Sequence, residues 1–532
     1  MSLMATRKAR LSFTLRRASG FLKLFLKNKR GLVGLAIIGL FAFLAIGAPL
    51  LTPYNQLGYF ADERVPLSGS MAAPAWLRLL PPSLGGNPTL SENLWVVNDK
   101  SFAQENWRSP EGEWSTNVSS GAENAVNIMR ESLDKPDLLV HFAREEGQEK
   151  YGNVTVSIYK EFDYPYSGPP YKGVEVLNVS VSGTLHEQMR LVRNQTWAGE
   201  GPQYYLTAKN ATDVATKVKL FVVKPSGQKI NIWPKANATL ILNASGYAQL
   251  YDALEPVYEA IDVRLIFDST GRYAFGCEVL LNDSFDKSQV SLDVRLSALG
   301  LDLYGTCWGI LGTSSYGWDL WAELVYGSRI SLYVGVISAG LAIVIGLAVG
   351  LASGYLGKVF DEIMMRFSDV LLVLPGLPLL IVLFAIMGAS IENLIILNGF
   401  LGWMGFAKLI RSQVLSIKER PYIEAAKAAG AGTGHILVRH VMPNVMGLVY
   451  VTLATAVPGA IVAEAALAWL GFYDWQRMSW GRMLQEMQSA RAIDKWWWVI
   501  PPGLSIAAIS VAFILLGYAL DEVLNPKLRV RR

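Results

Sequence analysis

The sequence predicts an all-α membrane bundle of six transmembrane helices that carries an inserted, mainly β, sandwich-like extracellular domain. Three observations predict it. Hydrophobic residues make up 52% of the 532 positions and charged residues only 17%, a balance too apolar for an ordinary soluble enzyme of this size. Six segments, 32–53, 329–355, 363–389, 393–413, 446–470 and 498–520, are each apolar over the roughly 20 residues that a bilayer core demands. Between the first two lies a stretch of opposite character, residues 54–305, rich in charge and in alternating apolar and polar positions.

Orientation follows from charge. The first 30 residues hold nine Lys or Arg and no acidic residue, which places the N-terminus in the cytoplasm of a multi-pass cell-membrane protein. Six crossings return the C-terminus to the same side, and the basic tail Asn525–Arg532 agrees. The apolar run from Leu32 is too long for the core of a cleaved signal peptide. Residues 54–305 contain 30 acidic and 22 basic residues, net −8, against 14 and 26, net +12, elsewhere. Residues 54–328 are therefore expected outside. The chain then divides into a basic arm with the first helix (1–53), an extracellular insertion (54–308) and a five-helix core (309–532) with a cytoplasmic loop at 414–445.

All eight Asn-x-Ser/Thr sequons fall in the insertion, at Asn117, Asn153, Asn178, Asn194, Asn210, Asn237, Asn243 and Asn282, so a glycosylated exterior is expected. Both cysteines, Cys277 and Cys307, are also there. An oxidising compartment favours a disulfide between them, with two buried thiols as the alternative. From Val154 onward, NVTVSIYKEF, GVEVLNVSVSG, KVKLFVV, NATLILNAS, IDVRLIFD and VSLDVRLSAL read as half-buried strands of an antiparallel sandwich. Ala122–Leu133 reads as a helix. His141 and His186 stand in no metal-ligand spacing, and no catalytic set appears, which favours a binding module over an enzyme.

The stretch PYIEAAKAAGAGTGHILVRHVMPN, 421–444, is too polar to span lipid yet full of helix signals. Pro421 suits a first helical turn and Glu424 favours the positive end of that helix. Gly430 can end it in a left-handed conformation. Thr433 can cap a second helix through His440 that finishes before Pro443. Lys408, Arg411, Lys418, Arg420, Lys427 and Arg439 make the region basic. A partner-docking hairpin competes here with close packing of small residues in lipid and with a plain surface loop.

These residues resemble the EAA loop of permease subunits of ABC importers: Glu424, Ala425 and Ala426, then Gly430, then His440 through Pro443 and Asn444, with Met442 where Leu is usual. The resemblance to the peptide/nickel branch extends through GTSSYGWDLWAELVYGSRISLYVG (312–335), DEIMMRFSDVLLVLPGLPLL (361–380), EAALAWLGF (464–472), SWGRML (479–484) and NPKLR (525–529). Ser314 and Trp318 depart from the family's Asp and Arg. The insertion is not covered. What the resemblance implies is a coupling helix seated in a separate ATPase, a second permease forming a heterodimer, two ATP-binding subunits and an external solute-binding protein. No Gly-x-x-x-x-Gly-Lys-Ser/Thr loop occurs in this chain, so it is expected to hold no cofactor, with ATP and Mg bound by the partners. Besides these partners it is expected to contact membrane lipids, and no nucleic acid.

Glu464 near the outer end of the fifth span is either part of a translocation path or a carboxylate hydrogen-bonded at the interface. Pro375 and Pro378 in the third span and Pro458 in the fifth should break or kink helices around such a path. Asp361 and Asp369 read as partners for charges on neighbouring helices. Trp496–Trp498 read as an aromatic belt or a substrate entrance. Uptake of dipeptides or oligopeptides is the leading expectation, with oligosaccharide import or a glycosylated receptor as alternatives; an N-glycosylated exterior beside an importer loop would point to an archaeal source.

Overall fold

The computed structural model describes residues 28–60, 66–84, 86–96, 114–119, 121–130, 137–183, 186–194, 203–208, 216–233, 263–283 and 289–524. The chain forms two compact units, one from Met1–Arg64 with Asp319–Arg532, the other from Val65–Trp318.

The first unit is helical: α1 (Lys29–Leu51), α2 (Leu320–Leu356), α3 (Lys358–Val373), α4 (Gly376–Met387), α5 (Ile391–Lys418), α6 (Pro421–Ala428), α7 (Thr433–Ile436), α8 (Met442–Trp469), α9 (Trp480–Ser489) and α10 (Trp496–Leu524). Among the described residues five helical runs are long and apolar enough to cross a membrane alone: α1, α2, α5, the run Thr433–Trp469 and α10. Side-chain caps fix several starts. Asp319 Oδ2 accepts from Ala322 N at 3.0 Å, Ser390 Oγ from Asn393 N at 3.2 Å and Ser479 Oγ from Arg482 N at 3.1 Å. The Asp319 cap starts α2 well before the apolar run at residue 329.

The expected third span at 363–389 is instead two helices, α3 and α4, bent by 93°. Pro375 explains the break: its ring holds Leu374 extended, at φ −67° and ψ 137°, and α3 stops there. Pro378 lies in the first turn of α4, where a missing N–H costs little. Pro458, by contrast, is buried inside α8 without ending it.

A stripe of small residues the sequence reading passed over brings α2 and α5 together. A Cβ on Gly350 would lie 2.6 Å from Ala407 O, and one on Gly354 would lie 2.7 Å from Val414 Cβ. Only glycine permits this approach, as in other helix pairs packed on small residues four apart.

The second unit holds twelve strands among the described residues: β1 (Leu94–Trp95), β2 (Ser115–Val118), β3 (Val126–Arg130), β4 (Leu138–Arg144), β5 (Gly152–Tyr164), β6 (Lys172–Gly183), β7 (His186–Asn194), β8 (Gln203–Ala208), β9 (Thr216–Val223), β10 (Lys229–Trp233), β11 (Gly271–Asp283) and β12 (Val290–Tyr304). One sheet runs β3-β4-β12-β6-β7-β8, with β1 also on β12; the other runs β10-β9-β11-β5-β2. All their pairings are antiparallel. Val140, Phe142, Val294 and Leu296 of the first sheet and Val156, Ile158, Phe275 and Val279 of the second share one buried core. In β4, β5 and β12 these residues alternate with half-buried neighbours, the signature of a sheet with one face covered.

Several expectations for this unit are corrected. Ala122–Leu133 is not a helix: its described part turns at Ala122–Ala125 and continues as β3, because Val126 and Ile128 pair in register with Phe142 and Val140. Neighbouring strands override local propensity there. IDVRLIFD gives one helical turn, Val263–Ile266, rather than a strand. NATLILNAS lies outside the described residues, as do Asn210, Asn237 and Asn243. Cys277 and Cys307 are not bridged; both are free and buried. Cys277 sits mid-sheet in β11, opposite Ile158 and Leu220, while Cys307 follows β12 and donates from Sγ to Ser91 O at 3.3 Å. Burial pushes their thiols up to about 12 and about 11.

Candidate functional site

The site follows from how α5, α6, α7 and α8 are joined. Arg420 N bonds Ile417 O at 3.1 Å, and Pro421 starts α6 without forfeiting a helical bond. Gly430 has φ +80°. Its N–H reaches Lys427 O at 2.9 Å and the next, Ala431 N–H, reaches Ala426 O at 3.0 Å, a doubly bonded helix end that needs the left-handed glycine. The expected turn at Gly430 is therefore present. The expected cap is not: Gly432 precedes α7 with no side-chain cap, and Thr433 is already helical.

Nor does the second helix finish before Pro443. It passes through a π turn, Leu437–Val441, in which Met442 N–H bonds Leu437 O, and runs on as α8. Proline lacks the N–H that an α-turn would use and would collide with the carbonyl four residues back. The widened turn relieves both problems. Asn444 completes it: Nδ2 donates to His440 O at 2.6 Å and to Tyr422 Oη at 3.3 Å, tying the start of α8 to α6.

Apolar anchors hold this hairpin to the bundle. Ile423, Ile436 and Val441 are buried with Ile410, Val414 and Val445, and Ala426 packs partly against them. The remaining surface mixes charged and small residues with the exposed Val438. Glu424, Ala425, Lys427, Arg420, Arg439 and Pro443 are exposed. The basic residues divide by role. Arg411 holds Asp361 through two bonds, 2.5 and 2.6 Å, and Lys408 holds Asp369 at 2.5 Å, tying α5 to α3. Lys418 donates to Tyr355 O at 2.8 Å, and Lys418 and Lys427 both lie 5.6 Å from the Tyr355 ring. Arg420, Lys427 and Arg439 remain at the surface with Glu424, an ordered basic knob on an apolar base.

Glu464 is placed elsewhere. It is 2% exposed in α8, and Ser479, the cap of α9, donates to its Oε1 at 2.6 Å. The adjoining cluster escaped sequence reading. Trp480 is fully buried, its N–H reaching Ser331 Oγ at 3.2 Å and its indole reaching Leu324 O at 3.0 Å. Arg482 binds Glu486 at 2.8 Å and the Trp475 carbonyl at 2.9 Å, so it organises the loop before α9. Pro375 and Pro378 are exposed at the α3/α4 break. Trp498 is fully buried whereas Trp496 is 42% exposed, so the tryptophan run is part core and part surface. In the other unit, Asn117 and Asn153 are exposed on β2 and β5.

The family model described as "Binding-protein-dependent transport system inner membrane component" matches residues 342–530, which include the whole hairpin. A second model, "N-terminal TM domain of oligopeptide transport permease C", matches residues 18–82. The dipeptide transport system permease protein DppC of Bacillus subtilis is 38% identical over 219 residues, 41% of this chain and 68% of that protein. The chain belongs to this permease family. Oligopeptide transport system permease proteins OppC of Bacillus subtilis and Haemophilus influenzae are similar too, at 36% and 35% identity. They match 41% of this chain in each case, and 72% and 70% of their own lengths. The permease is thus a multi-pass membrane protein. That N-terminal match runs to residue 82, beyond the first helix. The last part of that match bonds the end of the β unit, with Met71 N donating to Ser314 O at 2.9 Å and Ala73 N to Thr306 O at 2.9 Å.

Proposed function

We propose that this permease is one of two membrane subunits of an ABC importer that takes up dipeptides or oligopeptides delivered by an external solute-binding protein. Its relatives are named for dipeptide and oligopeptide transport, and the oligosaccharide and receptor alternatives gain no support from them. The observation that carries the reading is the hairpin Pro421–Asn444. It is closed at Gly430, pinned by Asn444 and anchored by Ile423 and Ile436, yet it presents Glu424, Lys427 and Arg439 outward. A rigid knob of this kind passes movement from a docked ATPase to the helices that carry it, because α5 leads into it through the turn at Glu419 and Arg420 and α8 runs on from its other end. Glu424, Ala425, Ala426, Gly430, His440, Pro443 and Asn444 form the coupling surface. ATP and Mg²⁺ are bound by two partner subunits, and a related permease completes the pathway as a heterodimer. Both termini and the hairpin lie in the cytoplasm, and the β unit lies outside. Pro375, Pro378 and Pro458 bend or interrupt helices beside the path, and Glu464 fixes α9 at its outer end.

Purification from native membranes tests this reading. The intact protein should bring down two ATPases and a second permease with peptide-stimulated nucleotide hydrolysis, and Glu424→Lys should abolish that stimulation. A chain that purifies alone would overturn it.

A further inference from the structure

We infer that the outer face of the β10-β9-β11-β5-β2 sheet is an N-glycosylated face, with Asn117 and Asn153 the modified residues, and that Asn117 is modified before β2 docks. The inference rests on the external placement proposed above.

Two sequons meet here as neighbours, Asn117-Val118-Ser119 on β2 and Asn153-Val154-Thr155 on β5. Val154, Val156 and Ile158 are buried at 1% or less, so Asn153, Thr155 and Ser157 alternate to the outer face. Asn117 is the register partner of Ser157. Both asparagines are exposed. Ser157 lies four residues from Asn153, about 13 Å along an extended strand, room enough for a sugar chain on each. Asn153 also stands directly after Gly152, whose φ of +69° marks the turn into the strand.

The hydroxyl residues of the two sequons bond each other. Ser119 N donates to Thr155 O at 2.9 Å, and Thr155 N donates to Ser119 Oγ at 3.1 Å. The acceptor motif includes the hydroxyl residue and is one of surface loops, where neither that hydroxyl nor the asparagine backbone is held in a strand ladder. In the folded sheet both are engaged for Asn117. Its modification therefore precedes pairing of β2 with β5, during or soon after translocation. The donor is an oligosaccharide carried on a lipid phosphate. Asn Nδ2 attacks the anomeric carbon, a C–N bond forms, the C–O bond to phosphate breaks, the lipid phosphate leaves and the surplus amide proton passes to base.

The test starts with the full-length protein from native membranes, digested and weighed peptide by peptide. Peptides bearing Asn117 and Asn153 should each carry a glycan mass, and Asn117→Gln and Asn153→Gln should each remove one. Ser119→Thr should keep the Asn117 glycan and Ser119→Ala should lose it. For timing, unmodified folded protein and a peptide spanning 114–121 are offered to the membrane transferase with lipid-linked donor. The peptide should be modified at least tenfold faster; equal rates overturn the order of events. Ser115→Cys, probed on intact cells with an impermeant maleimide, separates the two readings. Labelling with unmodified peptides overturns the glycan face alone, whereas absence of labelling overturns the external placement on which it rests.

Discussion

Replacing Gly430 probes the hairpin through backbone conformation alone. The residue has φ +80°, and a Cβ built on it would meet nothing within 4 Å. Space therefore does not limit substitution; the left-handed backbone does. That conformation costs an L-residue about 1–2 kcal/mol, less for Asn and more for a β-branched residue. With RT near 0.59 kcal/mol, the closed helix end loses roughly 5–30-fold in population. The bonds at stake are Gly430 N to Lys427 O and Ala431 N to Ala426 O. We expect ATPase affinity, measured on permease in nanodiscs, to fall in the order Asn, Ala, Val, with Val weakened by about 30-fold or more. Hydrogen exchange at the amides of Gly430 and Ala431 should accelerate in the same order. Equal affinities for the Val and Asn variants would refute the conformational argument. A loss for Ala as deep as that for Val would mean that contact, not φ, governs the position.

The remaining predictions concern buried groups. Ile423→Ala removes a fully buried anchor of the hairpin and should cost about 2–5 kcal/mol of local stability, read as faster exchange across Pro421–Leu437 with the exchange of α2 unchanged. Asp283→Asn removes the carboxylate that pairs at 3.0 Å with Arg144, itself 4% exposed, which should destabilise the β unit by up to about 3–5 kcal/mol in thermal unfolding; the paired change Arg144→Met with Asp283→Leu should recover part of that. Burial raises Asp319 from 3.8 to about 6. A raised acid pKa means that the folded state binds the proton more tightly, so the contribution is full below about pH 4 and is lost as pH rises through about 6. The loss is about 3 kcal/mol, and Asp319→Asn, which keeps a cap for α2, should flatten the melting temperature between pH 4 and 7.

Much of the helical unit was legible in the sequence because lipid enforces a length and a composition that single residues cannot hide. Pro421, Gly430 and the basic flank also announced the hairpin, since each acts through a local backbone rule. What escaped was set by tertiary partners. The π turn at Leu437–Val441 lets a helix run through Pro443, and nothing in the six residues before a proline signals that outcome. The Arg482–Glu486 pair and Trp480 are buried by helices distant in sequence, as is the glycine stripe of α2. In the β unit, period-two runs marked β5, β6, β9 and β12, but the β3 sequence is helix-prone in isolation and became a strand only beside β4. The cysteines mislead for a related reason: compartment favours a bridge, whereas register puts Cys277 in a sheet interior and Cys307 beside Ser91.

The tolerance of a helical permease for so large an insertion has a physical account in how each unit holds its own ends. In the helical unit, Asp319 N donates to Gly58 O at 2.8 Å, and Gly58 sits in a turn in which Asn55 N bonds Tyr59 O at 2.8 Å. The chain therefore leaves and re-enters this unit at one point. In the β unit, Leu67 N bonds Gly317 O at 2.8 Å, so its two ends are likewise adjacent. A structureless loop of roughly 250 residues would impose a closure cost of about 5 kcal/mol on the helices that it joins. A folded domain whose termini are already together removes most of that cost, because its own core, not the bundle, closes the loop. The close fit at Gly58, where a Cβ would lie 2.7 Å from Asp319 O, and the Asp319 cap on α2 then act as a splice. The splice lets the spans keep their packing while the domain beyond it is free to diverge.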